Sequence, residues 1–276
     1  MQTKDLILQS EICRRRLIEI ICKAKAGHTG GDLSCLNALT ALYFEVMNVS
    51  PGQADDPDRD RFILSKGHCV EALYTVLEAK GFIGEGVLDT LGQFGSILSG
   101  HPTNEVPGIE VNTGALGHGL SIGVGMAIAA KMDKKAYRTF VLMGDGEQGE
   151  GSIYEAAMAG HQYKLDNLVA IIDRNHLQIS GDTEDVMAID SIRDRWTAFG
   201  WDVADMNGDD MADIVRAFGA VDYTNRKPHL LISHTTKGKG VSYMENVAKW
   251  HHGVPDGEQY AQAMKEINER IENLKN

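Results

Sequence analysis

Cysteine is scarce in this chain of 276 residues: there are four, Cys13, Cys22, Cys35 and Cys69. No C-x-x-C pair and no Cys/His spacing of a zinc site occurs among them, so reduced core thiols are expected. Positive charge is also short. Lys and Arg number 27 against 39 Asp and Glu, a formal net charge of −12, and the sequence pI is near 5.3. That balance excludes a general attraction for nucleic acid or anionic lipid, so a phosphate site has to be local and purpose-built. No apolar run reaches membrane length, and Met1 to Arg16 alternates polar and apolar residues where a leader would carry a basic start and a continuous apolar stretch. A cytoplasmic protein that binds neither nucleic acid nor membrane is expected. Internal repeats, low-complexity tracts and convincing linkers are absent too. With 43% hydrophobic residues, the length suits one large α/β domain over residues 1–276 better than two full ones.

Apolar residues recur at helical spacing through Leu6, Ile7, Ile12, Leu17, Ile18 and Ile21, and again through Leu36, Leu39, Leu42, Tyr43 and Val46. N-terminal helices over about 5–50 follow. Residues 50–61 carry turn chemistry and lead into a strand-like Phe62-Ile63-Leu64, after which Ser65-Lys66-Gly67-His68 forms a histidine-bearing loop. Between Gly81 and His118 glycine is dense and periodicity is lost, which predicts a long irregular segment of the kind that usually serves function. A Gly- and Ala-rich helix over Leu120–Met132 comes next. Strand-like runs at 139–143, 168–172, 201–206 and 230–233 then alternate with helical stretches at 153–164, 189–199 and 211–218. Alternation of this type means a parallel sheet flanked by helices. A final helix over about 258–275 presents Met264, Ile267, Ile271 and Leu274 as one apolar stripe, expected to dock on the chain's own core.

The strongest chemical signal sits just past two of those strands. Gly144-Asp145-Gly146-Glu147 follows the 139–143 run, and Asp173-Arg174-Asn175-His176-Leu177 follows the 168–172 run. In a parallel sheet both occupy the carboxyl edge, where open α/β folds bind ligands. Glycines let the backbone turn and approach an anion, the following helix offers its amides, and Asp145 is a hard oxygen ligand. Asn175 adds a neutral carbonyl oxygen and the main chain of Leu177 a third oxygen, a set that suits magnesium shared with a diphosphate, with calcium or manganese as substitutes. A lone Gly-Asp-Gly is most often only a tight turn, and the spaced Asn175 is what shifts the balance. A Rossmann dinucleotide site fits less well, because no G-x-G-x-x-G links an early strand to a helix.

The chain resembles the N-terminal part of transketolases over roughly residues 5–260. The likeness is carried by Ala26-Gly-His28-Thr-Gly-Gly31, the run from Arg59 to His68, Ser99-Gly-His101-Pro102, Asn112-Thr-Gly-Ala-Leu-Gly-His-Gly119, the Gly-Asp-Gly motif with its Asn175, Ala198-Phe-Gly-Trp201 and His252-Gly-Val-Pro255. The resemblance implies the thiamine-diphosphate-binding (PP domain) fold, thiamine diphosphate and magnesium as cofactors, and ketol transfer from a ketose phosphate to an aldose phosphate. By the same likeness Asp145, Asn175 and the Leu177 carbonyl hold the metal; His68, Gly114, Gly146 and His252 touch the cofactor; Leu116 and Ile179 wall its thiazolium ring. His28, His101 and His252 face the reacting carbons, where imidazoles, with an ordinary pKa of about 6.5, suit proton transfer.

Glu150 and Glu155 match interface glutamates of the family, although acidic residues at a helix start are also explained by its dipole. Lys237 and Lys239 look like a basic loop near the substrate channel, or solvated loop lysines. His161, His176, His229, His234 and His251 lie in no motif and are expected to be structural or surface residues. Thr29 stands where the family usually has proline, and His118 where glutamine is common. The likeness does not extend to the second domain, which supplies the activating glutamate and the aromatic pocket. A separate C-terminal partner subunit with the pyrimidine-binding domain is therefore expected, in a heterotetramer holding two copies of each chain. Alternatives are a related thiamine enzyme, such as a deoxyxylulose-phosphate synthase or a 2-oxoacid dehydrogenase subunit, and a non-catalytic regulatory module on the same fold.

Overall fold

A computed structural model describes residues 1–54 and 56–276. The turn expected at 50–61 includes Asp55, which lies outside the described residues. Five strands, β1 (Arg61–Leu64), β2 (Thr139–Gly144), β3 (Leu168–Arg174), β4 (Asp202–Asn207) and β5 (His229–His234), form one sheet in the order β1-β2-β3-β5-β4. Every pairing is parallel. β3 is buried at all seven positions, as expected for a central strand covered on both faces, whereas β4 lies at the edge and is largely exposed.

Side-chain alternation along β2 divides the core into two layers. Phe140 and Leu142 join one cluster with α1 (Thr3–Ala24), α2 (Thr29–Ala41), α3 (Val70–Lys80), α8 (Met211–Gly219) and α9 (Gly257–Lys275). Val141 and Met143 join the other with α4 (Gly119–Met132), α5 (Gly151–Gln162) and α7 (Ile192–Ala198); a single turn, α6 (Thr183–Val186), lies in the loop after β3. α4 approaches the sheet closely at Gly123, where an added Cβ would stand 2.5 Å from Val141 Cγ2. α9 opens with a capping box between Asp256 and Gln259 and buries Ala263, Ile267 and Ile271 against this chain's own core.

The five strands and the helices at 119–132, 151–162, 192–198 and 211–219 fall where the pattern places them. Two helices depart from it. α2 begins at Thr29, seven residues before the apolar spacing at Leu36, and runs on into a π-helical turn at Leu42–Val46. α3 follows His68 after only a 3-10 turn at Gly67–Cys69. Between Gly81 and His118 the one regular piece among the described residues is a 3-10 turn at Val87–Thr90. Cys13, Cys35 and Cys69 are buried, Cys22 is half-buried, and all four are free. Among the described residues no helix is long and apolar enough to cross a membrane.

Candidate functional site

Because every strand runs the same way, the segments after β1, β2, β3 and β5 gather at one edge of the sheet. They surround a cavity of about 390 Å³ whose lining includes His28, His68, Asp145, Asn175, Lys237 and His252. Gly114, Leu116, Gly146, Leu177 and Ile179 also reach it.

Asp145 follows β2 and is 3% exposed. Its Oδ1 accepts from the Gly146 amide at 2.7 Å, and its Oδ2 accepts from the His176 amide at 2.8 Å, Thr183 Oγ1 at 3.2 Å and Arg174 Nη1 at 3.2 Å. Burial, and then the nearby Asp173, push its carboxyl above the usual range, which a cation alongside would reverse. Asn175 follows β3 and is 5% exposed. Its Nδ2 donates to Asp173 Oδ2 at 3.0 Å, which fixes the amide so that Oδ1 is the acceptor, taking the Leu177 amide at 3.1 Å. Asp173 is the hub beneath: Lys66 Nζ at 2.5 Å, Ser34 Oγ at 2.6 Å and Thr235 Oγ1 at 2.5 Å all donate to it. A ligand oriented by a fully bonded carboxylate is the usual second layer of a metal site. The donor set of one carboxylate, one amide oxygen and the Leu177 carbonyl fits a hard divalent cation that keeps other positions for phosphate and water. Lys237 Nζ donates to that same Leu177 carbonyl at 2.6 Å.

Four imidazoles stand together in the same cavity, joined to the Leu177 carbonyl through Lys237. The His28 and His252 ring centroids are 4.0 Å apart, His28 and His68 5.1 Å, and His251 and His252 5.0 Å. His251 stacks on His68 at 5.6 Å and its Nδ1 lies 2.8 Å from Lys237 Nζ. Burial brings His28 down to about 4, helped by the neighbouring imidazoles, and His251 down to about 3, helped by Lys237. Both rings are therefore neutral near pH 7 and able to accept a proton. Lys237 itself is brought down to about 8 by burial and by Lys66. His28 Nδ1 is buried without a hydrogen-bond partner, an unsatisfied group on a residue that lines the cavity.

His101 stands beside the cluster, close enough that its pKa is lowered by burial and then by His68. It is exposed and does not line the cavity; its ring lies behind Gly114, where an added Cβ would meet His101 Cδ2 at 2.8 Å. Gly114 has φ 144°, so both its conformation and this contact call for glycine. Leu116 is half-buried and Ile179 is 68% exposed at the rim. His118 is exposed, with Nδ1 3.1 Å from the Leu116 carbonyl. Lys237 and Lys239 part company: Lys239 points away to Asp209 at 3.4 Å and Glu245 at 3.8 Å.

Several contributors lie outside the expected set. His251 is in the cluster and not a structural bystander, and only its adjacency to His252 signals it. Glu147 is 2% exposed and accepts from Ser65 Oγ, from the Gly117 amide at 2.8 Å and from the Gly144 amide at 3.0 Å. It thereby ties three loops together. Thr29, fully buried, donates from Oγ1 to the Gly253 carbonyl at 2.6 Å, and the Gly238 amide donates to the Gly30 carbonyl at 2.9 Å. These bonds lock the start of α2, which carries His28, to the loop carrying Lys237, His251 and His252. Thr29→Val is expected to cost about 1 kcal/mol and to lower the thermal midpoint by roughly 2–4 °C, whereas Thr29→Ser retains wild-type stability; differential scanning calorimetry of the three proteins is the check.

A protein-family model described as transketolase, thiamine diphosphate binding domain, matches residues 8–269. An apulose-4-phosphate transketolase subunit from Phocaeicola vulgatus is 75% identical over 274 residues, covering 99% of this chain and 98% of that protein. The 6-deoxy-6-sulfo-D-fructose transketolase subunit SqwG of a Clostridium species is 39% identical over 267 residues, covering 96% of this chain and 97% of that one. The solved transketolase from Leishmania mexicana superposes with a TM-score of 0.87 at 26% identity; the match covers 100% of this chain and 45% of that chain, so this chain spans a little under half of the solved enzyme.

Proposed function

This chain belongs to the transketolase family, as its thiamine-diphosphate-binding domain, and from that premise we propose that it is the diphosphate-binding subunit of a two-chain ketol transferase. The observation that carries the reading is the convergence, on one sheet edge, of three oxygen donors and four imidazoles around one cavity.

Asp145, Asn175 and the Leu177 carbonyl hold magnesium, with calcium or manganese able to replace it. His68, Gly114 and Gly146 border the diphosphate, and Leu116 and Ile179 flank the ring system. When bound, thiamine diphosphate supplies the electron sink for breaking a carbon–carbon bond next to a ketose carbonyl. Lys237, which reaches the Leu177 carbonyl, provides a cation beside the anionic group. His28 and His252, neighbouring rings at the cavity wall, take and return the proton of the sugar hydroxyl, and the neutral state of His28 fits it for the accepting half. His101, exposed and packed against Gly114, is the third histidine assigned to the sugar. Glu150 and Glu155 are exposed and free to meet a partner subunit.

The proposed donor is a ketose phosphate of the apulose-4-phosphate type, supported by the 75% identity to a protein named for it. The sulfofructose enzyme, at 39% identity, provides the second reading. A coupled ketol-transfer assay of the chain with its pyrimidine-binding partner, run on apulose-4-phosphate, 6-deoxy-6-sulfofructose and an unbranched pentulose phosphate, decides between them. The highest kcat/KM is expected for the first, and a higher value for either of the others reassigns the donor. In the same assay His28→Ala and His252→Ala are each expected to lower kcat by on the order of 10²–10⁴, with cofactor affinity changed much less. Loss confined to cofactor affinity would move these histidines to the diphosphate.

A further inference from the structure

We propose that His28, His251 and His252 form a binding site for a borderline divalent transition ion, with Zn²⁺ as the leading case, separate from the oxygen-donor site of Asp145, Asn175 and Leu177. One ring nitrogen from each of the three histidines lies within 4.8 Å of the others. The rings surround a common point, with centroids 4.0, 5.0 and 5.7 Å apart. His28 Nδ1 is buried with no hydrogen-bond partner, so a lone pair is available at no cost in broken bonds. Three imidazoles with an open fourth position are a recurrent zinc arrangement.

Geometry asks for a modest closure. Zinc–nitrogen bonds of about 2.1 Å place tetrahedral ligands about 3.4 Å from one another, so the nitrogens must draw in by roughly 1 Å. His252 is exposed and ends a short 3-10 turn, where side-chain rotation supplies that movement. Donor chemistry separates the two sites: neutral imidazole prefers zinc, cobalt, nickel and copper, whereas carboxylate and carbonyl oxygens prefer magnesium. The arrangement depends on His251, to which the functional reading assigns no step and which turns a histidine pair into a chelating triad.

Opposing charge identifies what regulates the site. Lys237 Nζ stands 2.8 Å from His251 Nδ1, and Lys66 is the next cation inward, held by Asp173 at 2.5 Å. An ammonium in contact with a ligand ring repels an incoming dication, so Lys237 weakens the site and its removal strengthens it. The consequence for turnover rests on the functional reading above: an ion here ties up His28 and His252, and therefore competes with the ketose donor.

The test needs no catalysis. Calorimetric titration of the chelator-treated full chain with Zn²⁺, alongside the visible spectrum of its Co²⁺ form, is expected to give one ion per chain and a tetrahedral cobalt signature. His251→Ala and His252→Ala should each weaken binding by at least about tenfold, Lys237→Met should tighten it, and Asp145→Asn should leave it unchanged. Circular dichroism confirms that each variant is folded. Absence of stoichiometric binding overturns the site, as does binding indifferent to both histidine substitutions or abolished by Asp145→Asn.

Discussion

Replacing Asp145 by Asn is expected to weaken magnesium-dependent binding of thiamine diphosphate by at least about 100-fold in the assembled enzyme while leaving the fold in place. The carboxylate is the one charged oxygen in the proposed donor set, and a hard dication held by neutral oxygens alone loses most of its attraction. Alanine is the wrong tool for this measurement. Asp145 accepts from two backbone amides, Thr183 and Arg174, so Asp145→Ala leaves several buried donors without an acceptor and confounds cofactor loss with instability. Asparagine keeps one acceptor oxygen, which can still take the His176 amide, Thr183 and Arg174, so that only the Gly146 amide loses its acceptor. Arg174 retains Glu184 at 2.7 Å and Asp190 at 3.2 Å, so it is not left unpaired. The wild-type protein should show a related pH effect. Burial holds the Asp145 proton more tightly than in a free side chain, so metal affinity falls as pH drops through that raised value, and Asp145→Asn loses this dependence. Calorimetric titration of the cofactor with and without magnesium tests both, and unchanged affinity in Asp145→Asn would sink the metal assignment.

The site was legible wherever chemistry coincided with a strand end. Asp145 and Asn175 follow apolar runs whose period and length mark buried strands, so a parallel sheet was enough to bring them together. His251 could not be found that way, because its role arises from contacts with His68 and Lys237, residues far from it in sequence. Lys237 and Lys239, two positions apart on one loop, look equivalent in sequence and point to different surroundings. The unexpected helix α3 and the early start of α2 have a related cause. α3 is buried from Val70 through Leu77 and α2 at nearly every position from Thr29 to Ala41, so neither carries the one-sided apolar stripe that marks a surface helix. Glycines at 30 and 31 lower helix propensity besides. Strand order was invisible for a different reason: β5 enters between β3 and β4, and the pattern within a strand does not specify its neighbours.

Purified alone, the chain is expected to show no ketol transfer, and to gain it on mixing with a partner that carries the pyrimidine-binding domain. The relatives that it matches almost end to end are named as subunits, one of them covered over 98% of its length, whereas the solved transketolase of the same fold is more than twice as long. The surface at the cavity mouth supports the same view. Ile179, which lines the cavity, is 68% exposed, an apolar side chain at the rim of the sort that a second chain covers. By the resemblance to transketolases, a carboxylate serving as proton partner for the cofactor ring is the contribution expected of the partner chain. Those carboxylates of this chain that reach the cavity, Asp145 and Glu147, are already engaged, the first by Arg174 and the second by Ser65 and two backbone amides. Loss of such a group costs on the order of 10²–10⁴ in rate, and loss of the aromatic pocket adds to it, so activity of the single chain should fall below detection. The assembled form is expected to contain two copies of each chain. Native mass measurement of the mixture gives the stoichiometry, and Ile179→Glu should weaken assembly without unfolding this chain. Robust ketol transfer by the single chain, in a preparation shown to be free of partner, would overturn the two-chain reading and require a proton partner from within these 276 residues.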